Sequence, residues 1–174
     1  MSKRFNLKVI GEVTEYGDLA FLETHRLKNG KPFPDSYKAF VREYGYGRAL
    51  GEWLIYIPMG EYGDSWSVRS QEIRGAYINY VMSGDIWWEL EPDGSVELMI
   101  RMIPFAMSEN GYYLFWDIER GEGNEFEIYM TDFRGMGFRR VGASLYAVIE
   151  KMTGSGLVVK PLPQTFECLT ANKE

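Results

Sequence analysis

The sequence predicts an α+β domain, a mostly antiparallel sheet covered on one side by helices. Three observations carry this. Residues 34–44 hold an amphipathic helical stripe. From Glu125 to Met130, Phe126, Ile128 and Met130 alternate with Glu125, Glu127 and Tyr129, the period of a strand with one buried and one wet face. Asn110-Gly111 sits between two apolar runs, a strong hairpin signal.

The elements follow in order. A helix is expected around Tyr16–Leu27, capped by Asp18, with Leu19, Leu22 and Leu27 inward and Asn29-Gly30 as its stop. A second helix opens at Pro34 or Asp35. Proline suits a first helical position, and aspartate can accept from free backbone donors. Tyr37, Phe40, Val41 and Tyr44 form its inner stripe, and Gly45 takes the C′ position. Residues 52–57 read as a strand and 60–66 as a loop. A third helix over 68–82 turns Ile73, Tyr77, Tyr80 and Val81 inward and stops at Gly84. Strands are then expected at Ile86–Leu90, Val96–Phe105 and Tyr112–Ile118, with a turn at Pro92-Asp93-Gly94. A loop over Arg120–Asn124 leads to the alternating strand, and Asp132–Gly137 is a turn. Ser144 caps a last helix with Leu145, Val148, Ile149 and Met152 inside and Gly154 at its end. Residues 1–154 thus read as one domain, and 155–174, with Pro161 and Pro163, as an extended C-terminal arm.

Composition narrows the function. The chain has 174 residues, 45% hydrophobic and 16% aromatic. That length buries roughly 70% of the unfolded surface, so no metal or disulfide staple is required. A single cysteine, Cys168, excludes an internal disulfide. A single histidine, His25, has no motif partner for a Ser-His-Asp triad or a histidine-centred metal site. No run approaches the ~20 apolar residues of a membrane span, and a cytoplasmic protein is expected. Asp132-Phe-Arg-Gly does not supply a calcium loop. Gly45, Gly47 and Gly51 give G-x-G-x-x-x-G, one residue longer than the dinucleotide fingerprint, and a helix precedes them where a strand should. They read as the end of a helix. No Walker motif occurs, and no cofactor is expected.

Charge is unevenly distributed. The net charge is −6, yet residues 85–127 hold only Arg101 and Arg120 against eleven carboxylates, net −9. Such a segment repels nucleic acid and the phosphates of a membrane surface, and attracts basic proteins. Its acidic pairs Asp117/Glu119 and Glu125/Glu127 are two apart on strands, roughly 6.5–7 Å at Cα. That spacing also fits a small carbohydrate-active enzyme.

Two blocks resemble a known family. Phe33-Pro-Asp-Ser-Tyr-Lys-Ala-Phe-Val-Arg-Glu-Tyr-Gly-Tyr-Gly47 is similar to the L-P-x-x-Y-x-x-F-L-x-x-x-x-G helix of the SUKH superfamily. Ile103-Pro-Phe-Ala106, Glu109 through Asp117, and Val141 to Ile149 resemble its I-P-F-A, G-x-x-x-x-x-D and V-A-x-S-F-x-x-F-L segments. Phe33 replaces the family's leucine, Tyr46 separates its paired glycines, and residues 58–102 match no quoted motif. The resemblance implies a helix-flanked sheet without a catalytic centre. It also implies either an immunity protein that neutralises a toxin, often a nuclease, or a regulator of cell-wall synthesis acting through protein contacts. On this reading the partner is a basic protein toxin, met through Trp66, Asp117, Glu119, Glu122, Glu125 and Glu127. Tyr62, Trp87 and Trp88 are further aromatic candidates, and strand alternation turns one of the last two outward.

Overall fold

A computed structural model of the chain describes residues 4–155 and 160–172. These form five helices and one eight-stranded sheet. The helices are α1 (Leu19–Thr24), α2 (Asp35–Tyr44), α3 (Trp66–Ser83), α4 (Val96–Arg101) and α5 (Leu145–Thr153). The strands are β1 (Lys8–Ile10), β2 (Gly47–Ala49), β3 (Trp53–Ile55), β4 (Ile103–Ser108), β5 (Tyr113–Asp117), β6 (Glu127–Thr131), β7 (Arg139–Gly142) and β8 (Thr165–Cys168). Their order is β1-β8-β2-β3-β4-β5-β6-β7, antiparallel throughout except for the β1/β8 pair. The α+β class expected from the sequence is the architecture observed.

Local chemistry explains most elements. Asp18 Oδ1 accepts from the Phe21 amide at 2.9 Å and opens α1, which buries Leu22 while Leu19 faces solvent rather than the core. Ser144 Oγ accepts from Ala147 N at 3.2 Å, and the four apolar residues of α5 expected inside are all buried. The stripe of α2 is buried as its spacing predicts. The helix stops where Gly45 takes φ 70°, a backbone that a side chain would strain, and a Cβ there would meet the Glu15 carbonyl at 2.4 Å. Gly47 lies in β2 so close to β8 that a Cβ would meet the Phe166 ring and Glu167 O, both at 2.4 Å. The glycines of this segment therefore stop a helix and admit a neighbouring strand.

The sheet is covered on both faces, which corrects the one-sided cover expected. Successive β5 residues divide between two cores. Leu114 and Trp116 join the α2 and α5 side chains, whereas Phe115 joins Tyr77 and Val81 of α3 with Leu98 and Met99 of α4. Tyr129, placed by alternation on a wet face, is buried in that second core. Within the first core the Phe105 and Trp116 rings stack at 4.4 Å, and Tyr37 meets Trp116 edge-on at 4.9 Å. The Tyr37 hydroxyl donates to Tyr56 O at 2.5 Å, so its polar end is satisfied inside the core.

Other expectations change. Val96–Arg101 is helical, because Ser95 Oγ accepts from Leu98 N at 3.1 Å and turns an apolar run into a capped helix; only Ile103 onward is a strand. Ile86–Leu90 is not a strand: Glu89 N donates to Arg134 O, and the segment lies over the second core. On α3, Tyr77 and Val81 are buried but Tyr80 is exposed. The short strands β1, β2 and β7 carry too few residues to show a period. The expected arm is built into the sheet: β8 lies between β1 and β2, with Phe166 fully buried. Residues 156–159 of that arm lie outside the described residues.

Candidate interaction surface

The β5–β6 connection carries three of the six residues that the sequence nominates, Glu119, Glu122 and Glu125, and the adjoining strand ends carry Asp117 and Glu127. The structure assigns them different work. Asp117 ends β5 fully buried, and Arg101 from the end of α4 grips it with two bonds, Nε–Oδ1 2.8 Å and Nη2–Oδ2 2.9 Å. Asp117 Oδ1 also accepts from Glu119 N at 3.1 Å. The hydrogen bond to Asp117 raises the Arg101 pKa above its ordinary value, so the cation stays charged in place. Asp117 therefore has no surface to offer a partner. Its register partner across the strands is Glu127, which is held by Arg140 at 3.0 Å. Two carboxylates that would repel across β5 and β6 are each matched by an arginine.

Glu125 is spent on the fold as well. α2 begins at Pro34, which supplies no side-chain cap. Glu125 reaches across from the loop and accepts from Ser36 N at 2.8 Å and Ser36 Oγ at 2.6 Å. The same hydroxyl accepts from Leu145 N, tying α2 to α5. A carboxylate at a helix N-terminus also meets the positive end of the helix dipole.

Glu119 and Glu122 are the outward-facing members. The Glu119 side chain is 64% exposed, with Arg101 Nη1 3.7 Å away. Glu122 is exposed between Gly121 and Gly123. Trp66 is buried against Phe33 (4.9 Å, edge-on), with only 7% of its surface exposed. Of the neighbouring tryptophans, Trp87 is the outward one, 65% exposed, while Trp88 is buried. Trp87 rims a small hollow of about 170 Å³ lined also by Ile73, Tyr77, Tyr113 and Phe133. Tyr62 is half-buried against the Tyr46 ring.

The acidic run as a whole does not make one patch. Glu109 sits in the β4–β5 turn, paired with Arg48 at 2.8 Å, at the opposite end of β5 from Glu119. Asp93 accepts from Arg140 N, and Glu89 accepts from its own loop amides. Asp117 and Glu119, and Glu125 and Glu127, all have partners within the protein. Among the described residues no group of three or more His, Cys, Asp or Glu side chains is placed to hold a metal ion. No helix is long and apolar enough to cross a membrane.

The molecule is a mostly antiparallel sheet with helices on both faces, with Glu119 and Glu122 exposed on one strand connection. The family model SUKH_6, described as SMI1-KNR4 cell-wall, matches residues 22–146, well over half of the chain. The protein belongs to this SUKH family. No curated protein and no solved structure matches the chain. The matched span runs from α1 into the start of α5, so β1 and β8, which widen the sheet, lie outside it.

Proposed function

We propose that the protein is a non-enzymatic immunity protein that masks the basic surface of a protein toxin, of the nuclease class, inside the cytoplasm. Family membership supports an interaction module of this general type. The observation that carries the acidic reading is the pair Glu119 and Glu122, exposed on a loop whose base is locked by Arg101–Asp117 and Glu125–Ser36. A pre-set negative loop steers a basic partner without having to order itself on contact. Trp87, exposed beside the Tyr113 end of β5, is the candidate aromatic anchor for a partner that also covers that end.

Charge reversal tests the reading. Glu119→Lys and Glu122→Lys, measured by stopped-flow against a purified basic toxin that the parent protein neutralises, should slow association by about tenfold or more at low salt. The deficit should shrink as salt screens the surface. Association rates equal to the parent's at every salt concentration would remove the acidic surface from the mechanism. The family description, which refers to the cell wall, favours a second reading, a regulatory or scaffold module. Pull-down from the native cell separates the two, since a toxin and a cell-wall synthesis factor are different captured partners.

A further inference from the structure

One cavity is opposite in character to the acidic loop. It is a groove of about 510 Å³ between the segment Phe21–Lys28 and the first half of α3, floored by Ile103 and Pro104 of β4. That volume is in the range of small-molecule sites. Its lining holds Arg26, Lys28 and Arg74 and not one carboxylate, in a protein with 25 acidic residues against 19 basic ones.

Each wall is organised. On α3 the lining residues Ser67, Ser70, Gln71 and Arg74 fall at i, i+3, i+4 and i+7, a polar stripe turned toward the groove. On the other wall a tight turn, closed by Leu27 N to Lys31 O and Gly30 N to Leu27 O, sets Arg26 and Lys28 on either side of buried Leu27. Neither Arg26 nor Lys28 has an ion pair or a side-chain hydrogen bond among the described residues. Arg74 Nη2 donates to Ile100 O at 2.9 Å, but its buried Nε has no acceptor there. Trp66, 93% buried at the groove wall by its 7% exposure, has an indole N–H that is likewise without an acceptor. Burial, and then the charge of Arg74, lower the Lys28 pKa, as befits two cations brought close with no anion between them. The apolar part of the lining is Phe21, Leu27, Trp66 and the stacked His25 ring, 4.4 Å from Phe21.

We propose that this groove binds a small organic anion, its planar apolar body against Trp66, Phe21 and Leu27 and its phosphate- or carboxylate-type head between Arg26, Lys28 and Arg74. The site is independent of the toxin reading, because it lies on other elements and carries the opposite charge. Guanidinium groups suit such a head, giving charge-assisted hydrogen bonds in a fixed fork.

The full chain titrated calorimetrically with 1-naphthyl phosphate, 1-naphthol and inorganic phosphate tests this. Naphthyl phosphate should bind about tenfold more tightly than either fragment, since only it fills both halves of the groove. In a ¹⁵N spectrum the Trp66 indole resonance should move with the same titration. Arg26→Gln and Lys28→Gln should each weaken binding by about tenfold and leave the circular dichroism unchanged, as neither side chain supports the fold. Arg26→Lys should retain most of the binding. The proposal is overturned by absent heat with naphthyl phosphate, by equal binding of naphthol, or by Gln variants that bind like the parent. A glutamate-rich peptide that binds at the Trp66 resonance while naphthyl phosphate does not would also overturn it, in favour of a macromolecular partner.

Discussion

Asp117 and Glu125 are spent on the fold, while Glu119 and Glu122 between them stay at the surface. Asp117 is taken out of water and can stay charged only because Arg101 closes on it with two bonds. Removing one member of such a pair strands the other. Arg101→Met should lower stability by about 3–5 kcal/mol in urea denaturation, and the double variant Arg101→Met/Asp117→Asn should recover a large part of the loss. A single variant that unfolds like the parent would show that Asp117 is not held by this arginine. Glu125 is worth less, because it caps a helix near solvent. Glu125→Ala should cost about 1–2 kcal/mol, with amide exchange rising first at Ser36 and Tyr37. These two carboxylates look the same in the sequence as Glu119 and Glu122. Their partners, Arg101 at sixteen residues' separation and Ser36 at eighty-nine, are supplied by tertiary contacts that no local pattern encodes.

Among elements, legibility followed length and local signal. α2, α5, and the β5 and β6 strands were readable because each has enough turns or alternations to show a period, and because Asp18 and Ser144 cap α1 and α5 with their own side chains. The α4 segment misread because Val-Glu-Leu-Met-Ile has both helix and strand character, and the Ser95 cap decides it. The C-terminal strand β8 was unreadable as a sheet member. Thr165–Cys168 is four residues long, and its neighbours are β1 and β2, more than a hundred residues away. Its position leads to a sharp expectation. Phe166→Ala should destabilise by about 3–5 kcal/mol, as for other fully buried aromatics, whereas Glu167→Ala, which loses only a surface pair with Arg48, should change stability by under about 1 kcal/mol. Thermal melts of the two variants distinguish a sheet strand from an appended arm, on which both substitutions would be silent.

For the whole molecule, surface chemistry is sorted by element. Carboxylates sit on the β5–β6 connection and on the loop around Trp87, while three cations share a groove between Phe21–Lys28 and α3, next to the turn whose Asn29 Nδ2 donates to Ile118 O of that connection. The two tryptophans that could serve a partner are distinguishable by experiment. Trp87→Ala should leave the melting temperature near the parent's and accelerate dissociation of the bound toxin, by about 2 kcal/mol of binding if the ring is an anchor. Trp66→Ala should instead unfold the domain near Phe33 and His25. Unchanged dissociation in the Trp87 variant would place the interface elsewhere.

The sequence by itself determined the α+β class, the family resemblance, the amphipathic helices, the hairpin and the acidity of residues 85–127. Those depend on spacing and composition, which are properties of neighbours along the chain. Tertiary structure alone decided which carboxylates remain at the surface, that helices cover both faces of the sheet, and that the last strand inserts between β1 and β2. It alone also gathered Arg26, Lys28 and Arg74 around one groove. The reason is physical: burial and ion pairing depend on which groups meet across the fold, and here those groups come from segments far apart in the chain.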